Sequence, residues 1–330
     1  MSADRPDFPS VWDASMLSTF RSCPHKFALS YLAHWKPKTE SHHLHAGKAF
    51  ASGLEASRRA FYEQHASADE ALELGIADLL GVYGSFSPPE DSPKSASRMA
   101  GALEYYFSQW PLGSDPATPA VLGGRLGIEF SFAQPLPLNH PTSGEPLIYS
   151  GRADQIVDFA GGVYVEDDKT ASQLGASWSR QWDLRSQFTG YCWAARATGM
   201  RVDGVLVRGV SILKTKYDHA EVVTYRPEWQ VDRWLEQSIK DIQRAQRCWE
   251  EGWWDWSLDH ACTEYGGCSL RQVCLVQDPS PILELNFERR KWDPITREET
   301  LLGAPQNLID SSPAGAHTSG PRNLLTEALQ

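Results

Sequence analysis

Asp154 stands in the segment Gly151-Arg-Ala-Asp-Gln-Ile-Val-Asp-Phe159, and a second segment, Val165-Glu-Asp-Asp-Lys-Thr170, carries Asp167, Asp168 and Lys169. These residue types suit metal-dependent cleavage of a phosphodiester. Acidic oxygens hold a hard divalent cation, and a neighbouring lysine orients water and offsets charge building on the phosphate. A second set is made of sulfur: Cys262, Cys268 and Cys274 recur with five residues between neighbours, and Cys23 lies far upstream in Arg21-Ser-Cys-Pro-His-Lys26. Without a secretory leader, such cysteines favour metal or cluster ligation over disulfides. Both a tetrahedral zinc site and a cubane iron-sulfur cluster take four ligands, which makes Cys23 the candidate fourth. Zinc sites favour short paired knuckles; gaps of five with one remote cysteine fit a cluster better. Cys192 and Cys248, each beside a tryptophan, are expected to be buried thiols.

The elements that would carry these residues can be read from periodicity. Ser15 or Ser18 is expected to cap a short helix through Phe20, and Pro24 to open a second. Residues 46–66, 68–84 and 94–110 have helical apolar spacing. From Leu122 the pattern changes to alternation at Ile128, Phe130 and Phe132, then a Pro-rich loop from Gln134 to Pro146. Strands are expected at Ile148 to Phe159 and Val163 to Asp168, joined by a tight turn at Gly161-Gly162. A helix over Asp183 to Thr198, strands at Val205 to Leu213 and Glu221 to Tyr225, and a helix over Pro227 to Trp249 complete the pattern. The expected fold class is α/β: a mixed central β-sheet flanked by helices, with an N-terminal helical region and a C-terminal cysteine module. The expected domains are 1–120 (helical, with Cys23), 121–250 (the sheet core), 251–293 (the cysteine module) and 294–330 (a flexible tail).

The chain of 330 residues, 41% apolar with 13 Trp, can fill a sizeable core. It shows no run of about 20 apolar residues and no leader, so a cytoplasmic protein is expected. Its formal net charge is −11, unusual for a protein that grips nucleic acid by neutralising phosphates. From Lys169 to Lys216, however, eight basic residues stand against two acidic ones, so the segment beside the candidate site is locally basic. A solvated helix face would look the same. Trp253, Trp254 and Trp256 are read as packing around the cysteine module in preference to a base-stacking platform.

In sequence order, Ser18-Thr-Phe-Arg-Ser-Cys23-Pro, Gly47-Lys-Ala-Phe-Ala-Ser-Gly-Leu-Glu55, Gly151-Arg-Ala-Asp154, Asp167-Asp-Lys169-Thr, Gln187-Phe-Thr-Gly-Tyr191 and the late cysteine triad resemble the PD-(D/E)XK nuclease superfamily. Within it they resemble the RecB/AddB-like and CRISPR-associated exonucleases that carry a [4Fe-4S] cluster, in a compact phage-encoded or stand-alone form. The resemblance implies a restriction-endonuclease-like core. It implies that Asp154, Asp167 and the backbone carbonyl of Asp168 hold Mg2+ or Mn2+, and that Lys169 positions the nucleophilic water. It further implies that Gln187 and Tyr191 touch the substrate backbone or steady Lys169, and that Cys23, Cys262, Cys268 and Cys274 hold the cluster. The substrate would be DNA, as single strands or duplex ends, in recombination, repair or processing, with a helicase or recombination protein as partner.

One position departs from the pattern. Many relatives carry a metal-binding histidine four residues after the glycine of the second helix, where this chain has Ala51. His45 and Glu129 are the candidate substitutes, and the His42, His43, His45 group otherwise reads as a surface turn. The competing readings are a DNA-binding protein that kept the fold and cluster but lost the metal, and a zinc-stabilised interaction protein whose carboxylates are structural.

Overall fold

The computed structural model describes residues 5–263 and 267–302. In chain order its elements begin with β1 (Val11–Trp12), α1 (Ala14–Ser22), α2 (Pro24–Phe27), a π-type turn at Ala28–Leu32 and β2 (Trp35–Pro37). Three long helices follow: α3 (His42–Tyr62), α4 (Ala68–Tyr83) and α5 (Ala96–Gln109). The strands β3 (Thr118–Pro119), β4 (Val121–Leu122), β5 (Arg125–Leu126), β6 (Ile128–Asn139), β7 (Pro146–Phe159) and β8 (Gly162–Ala171) come next. After them lie α6 (Ala176–Arg180), α7 (Ser186–Ala197), β9 (Gly204–Ile212), β10 (Tyr217–Tyr225) and α8 (Glu228–Glu251). The chain continues through α9 (His260–Thr263), a 3-10 turn at Val273–Leu275, α10 (Ser280–Asn286), β11 (Phe287–Asp293) and β12 (Glu298–Leu301). No helix among the described residues is long and apolar enough to cross a membrane.

The central sheet is mixed and has seven strands. Its order is β1-β7-β8-β9-β10, with β3 and β6 also pairing with β7. The β7–β8 and β9–β10 pairs are antiparallel, whereas β8 and β9 are parallel. A parallel pair needs a crossover, which α6 and α7 supply. Every residue of β9, Gly-Val-Leu-Val-Arg-Gly-Val-Ser-Ile, is buried, as expected for an interior parallel strand covered on both faces.

The chain forms two compact units, one of residues 40–132 and 151–235, the other of residues 1–39, 133–150 and 236–330. In the first, α3, α4 and α5 bury Phe50, Leu54, Leu79, Leu103 and Tyr106 against Val210 and Ile212 of β9. A capping box of Ser67 and Glu70 starts α4. Gly53 and Gly75 let α3 and α4 approach closely: a Cβ on Gly53 would fall 2.9 Å from the Gly75 carbonyl oxygen. In the second unit, β2, β11 and β12 form a three-stranded sheet, and Phe8, Trp12, Phe20 and Phe27 pack in a chain of ring contacts.

Several local expectations change. Asp13, rather than Ser15 or Ser18, caps α1, its carboxylate accepting from the Met16 N–H at 2.7 Å. The Pro-rich segment from Gln134 continues as strand to Asn139. Prolines are tolerated there because, among the described residues, β6 pairs only with β7, so a missing N–H can face away from the ladder. The helix expected from Asp183 begins at Ser186. Of the segment expected to be a tail, Glu298–Leu301 pairs with β11, and residues 303–330 lie outside the described residues.

Candidate active site

Side chains alternate across a strand, so β8 presents two charged rows. The register sets Gln155 of β7 opposite Glu166 of β8, which brings Asp154 and Asp167 to the next rung. The Asp168 N–H donates to Asp154 Oδ2 at 2.8 Å. The Lys169 ammonium forms an ion pair with Asp167 Oδ2 and lies 5.9 Å from the centroid of the Phe188 ring on α7. On the same helix, Gln187 Nε2 donates to the Tyr191 hydroxyl at 2.8 Å. Gly151 makes this meeting of β7 and α7 possible: a Cβ there would lie 3.0 Å from Tyr191 Cε1 and 2.5 Å from Phe132 Cζ. Asp154, Asp167, Lys169, Gln187 and Tyr191 are thus assembled within one unit.

The electrostatics of the site are dominated by desolvation of its two carboxyls. Burial pushes the Asp167 carboxyl up to about 7; Lys169 opposes this and Asp154 adds to it. Asp154 is raised by burial too, with Lys169 opposing and Asp168 reinforcing. Burial disfavours the charge on Lys169, but Asp167 and Asp154 outweigh it and hold the amine above its ordinary value. Among the described residues no three His, Cys, Asp or Glu side chains already converge in ligand geometry. Two buried carboxylates and a backbone carbonyl still fit Mg2+ or Mn2+, because a small hard cation keeps several waters and takes only one or two protein carboxylates.

The two candidate substitutes for the missing histidine separate cleanly. His45 is already engaged: Nδ1 contacts Glu40 Oε2 and Nε2 contacts the Tyr83 carbonyl, both at 3.0 Å, while its ring stacks on Phe86. Glu129 instead lies within the electrostatic reach of Asp154. Its side chain is 10% exposed and meets Arg152 Nε at 2.6 Å. Burial and then the Asp154 charge push it up to about 8 against the pull of Arg152. Its backbone is left-handed, at φ 51°, a conformation uncommon in non-glycine residues. Ala51 itself is exposed.

The other row of β8 was missed in the sequence. Arg58 of α3 donates to Asp168 Oδ2 and to Glu166 Oε1, each at 2.7 Å. The Tyr106 hydroxyl donates to Asp168 Oδ1 at 2.8 Å. Arg208 clamps Asp115 with two nitrogens and reaches Glu221 at 3.0 Å. Period-2 alternation through Glu166-Asp-Asp-Lys169 was the available signal, since a buried strand with charges on both faces requires counter-ions on both.

These raised carboxyls have a measurable consequence. Ordinary carboxyl values lie near 4, whereas Asp167 and Glu166 are lifted to about 7 and Glu129 to about 8. The folded chain therefore holds these protons more tightly than the unfolded chain. The stability they contribute is complete at low pH and is lost as pH rises through the folded values. Tm in EDTA is expected to fall by several degrees between pH 6 and pH 8.5, and Mn2+ to reverse much of the fall by favouring the ionised pair. A thermal-shift series settles this; a flat Tm in EDTA contradicts it.

The cysteines occupy the other unit. Cys23 joins α1 to α2, and its carbonyl accepts from the Phe27 N–H at 3.0 Å. The His25 N–H donates to the Asp255 carbonyl at 3.1 Å, tying this end to the segment before Cys262, and the Cys268 N–H donates to the Cys262 carbonyl at 3.1 Å. All four candidate cysteines are free thiols of intermediate exposure, while Cys192 and Cys248 are buried as expected. Burial pushes Cys274 up to about 11, and Cys268, Cys23 and Cys262 each add to the rise. Cys23, Cys262 and Cys268 are therefore each within electrostatic reach of Cys274. Trp254 is buried against Phe27, whereas Trp253 and Trp256 are exposed, the latter against His25.

No curated protein matches the chain significantly. Among solved structures, one from Eubacterium rectale described as a candidate exonuclease is similar at 13% identity and TM-score 0.47, covering 81% of this chain and 93% of its own. SSO0001 is similar at 17% identity and TM-score 0.26, covering 58% of this chain and 74% of its own. The sequence profile of the PD-(D/E)XK nuclease superfamily matches residues 12–275, which takes in Cys23, the assembled carboxylates with Lys169, and the cysteine triad. The chain belongs to the PD-(D/E)XK nuclease superfamily.

Proposed function

We propose that this nuclease is a metal-dependent deoxyribonuclease, an exonuclease on single strands or duplex ends, of the RecB/AddB-like type and acting in phage or bacterial recombination, repair or processing. The observation that carries the reading is the buried Asp154–Asp167 pair set against Lys169. Mg2+ or Mn2+ bound by Asp154, Asp167 and the Asp168 carbonyl would supply Lewis acidity toward the phosphate and lower the pKa of a bound water. Lys169, held by Asp167, directs its remaining protons at the attacking water and the phosphate oxygens. Tyr191, oriented by Gln187, backs Lys169 from α7. Glu129 provides the further carboxylate that Ala51 does not. The test is degradation of end-labelled DNA with Mn2+, using 5'- and 3'-labels to read polarity. A wild-type protein that binds DNA yet cuts none with any divalent metal would overturn this reading in favour of a non-catalytic binding protein.

The same proposal gives Cys23, Cys262, Cys268 and Cys274 a [4Fe-4S] cluster that ties together two parts of one unit far apart in sequence. The reach of Cys23, Cys262 and Cys268 to Cys274 supports it. Anaerobically purified protein is expected to be brown, and Cys274→Ser to lose the visible band and several degrees of Tm. Colourless protein containing stoichiometric zinc would replace the cluster with a structural zinc site.

A further inference from the structure

Lys94 is a buried cation that meets no carboxylate among the described residues. It is only 3% exposed, and lysine is almost never so buried unless paired. Its ammonium has three donors, yet its one side-chain bond runs to Thr170 Oγ1 at 3.3 Å. Among the described residues no carboxylate pairs with it. The position is built rather than incidental: the Lys94 carbonyl accepts from the buried Tyr83 hydroxyl at 2.6 Å, its N–H is held by Ser92 Oγ at 3.3 Å, and Ser95 next to it caps α5.

The surroundings are also short of negative charge. Thr170 lies near the end of β8, one residue beyond Lys169 and on the face of Glu166 and Asp168 that α3 covers, and a Cβ on Gly47 of α3 would stand 3.9 Å from Thr170 Oγ1. The first turn of α3 contains no acidic residue, and Ser41 makes no side-chain cap, so the turn keeps unfilled N–H groups and the positive end of a 21-residue helix dipole. Burial, then Lys94 and His42, depress the proton affinity of His43, which places His43 within the field of the same ammonium. Glu40, the acid nearest the start of α3 in sequence, is turned onto His45; Glu90 and Asp91, just before Lys94, are exposed, and Asp168 is engaged by Arg58 and Tyr106.

We infer that Lys94, Thr170 and the first turn of α3 form a phosphate-binding subsite at the end of β8, on the face opposite Lys169, holding a second phosphate of a DNA strand that rounds the strand end and whose scissile phosphate meets Lys169. The inference rests on the nuclease reading of Asp154, Asp167 and Lys169. The phosphate is either an internal diester or a terminal 5'-monoester, and the two share the chemistry that Lys94 recognises. An uncompensated buried charge is destabilising, so Lys94 is retained at a cost in stability that the bound phosphate offsets.

The experiment uses the full chain and Lys94→Met, which keeps an unbranched apolar stem and removes the charge. Cleavage with Mn2+ is measured over a salt series on oligonucleotides bearing a 5'-phosphate or a 5'-hydroxyl. Lys94→Met is expected to raise KM several-fold with kcat little changed, and to reduce the slope of log affinity against log salt by about 0.7 for a single strand. Loss on both substrates assigns the diester; loss on the 5'-phosphorylated one alone assigns the terminal monoester. In parallel, inorganic phosphate is expected to raise the wild-type Tm but not that of Lys94→Met, whose Tm without phosphate is equal to or above wild type. Unchanged KM and salt slope on both substrates overturn the subsite while leaving the nuclease reading intact. A wild-type chain that cuts no DNA, yet loses its phosphate-dependent Tm shift on substitution, sinks the nuclease reading and keeps the subsite.

Discussion

Lys169→Met lowers the rate constant for DNA cleavage by roughly 10²–10³, the range for losing one preorganised charge-stabilising donor, while DNA affinity stays within a few-fold. The reason is positional. Lys169 is fixed by the Asp167 ion pair and the Phe188 ring, so in the proposed mechanism its charge is preorganised to meet the negative charge that the phosphate gains. Methionine matches the stem and deletes that charge alone. Asp167→Asn and Asp154→Asn are expected to be equally inactive for a different cause, and the metal-dependent Tm shift tells the two apart. Lys169→Met keeps the Mn2+-induced rise in Tm because both carboxylates remain, whereas either asparagine variant loses most of it. If Lys169→Met cuts DNA at the wild-type rate, the lysine is a structural partner of Asp167 and the catalytic assignment falls.

Arg58→Ala destabilises the protein by about 3–5 kcal/mol, the usual consequence of removing one partner from a buried ion pair, and lowers Tm by roughly 10 °C. Arg58 is buried between Glu166 and Asp168, whose side chains are almost wholly enclosed. Arg208 still approaches Glu166 at 3.6 Å, and Gln155 donates to it at 3.2 Å, but among the described residues the Asp168 carboxylate keeps only the Tyr106 hydroxyl. The effect carries a pH signature. Glu166 already sits at about 7, raised by burial against Arg208 and Arg58, and losing one of those cations lifts it further. The variant accordingly loses more stability at pH 8 than at pH 6. Adding Glu166→Gln and Asp168→Asn to Arg58→Ala restores part of the loss, since paired polar groups removed together leave fewer uncompensated charges. Equal denaturation midpoints for Arg58→Ala and wild type at both pH values contradict the argument. Because Asp168 contributes its backbone to Asp154, Arg58 is also a positioning residue, and its loss is expected to weaken Mn2+ binding more than DNA binding.

Much of the core was legible because its signals are local. The alternation in β7 and β8, the Gly161-Gly162 turn and the helical spacing of α3 to α5 place the elements within a few residues. Boundaries moved where a neighbour in space decided them. Pro135 and Pro137 sit in a strand because β7 offers them an outer edge. Glu298–Leu301 is a strand because β11 lies beside it, although the composition of the segment gave no such sign. The Asp13 cap was overlooked for nearby serines, although aspartate is as good a capping residue as serine.

By itself the sequence determined the reactive inventory and its order: Asp154 before Asp167-Asp168-Lys169, then Gln187 and Tyr191, with Cys23 and the late triad outside them. Period-2 geometry within β8 also dictated that Asp167 and Lys169 share one face while Glu166 and Asp168 take the other. Tertiary structure decided what meets each face. It set Arg58 on Glu166 and Asp168, 108 and 110 residues away in sequence, spent both ring nitrogens of His45 elsewhere, put Glu129 within the field of Asp154, and buried Lys94 against Thr170 with no counter-ion among the described residues. Spacing along the chain cannot reveal such pairs. Whether a charge is desolvated, and by what it is answered, depends on which helix crosses which strand, and the same desolvation sets the proton affinities on which the candidate chemistry rests.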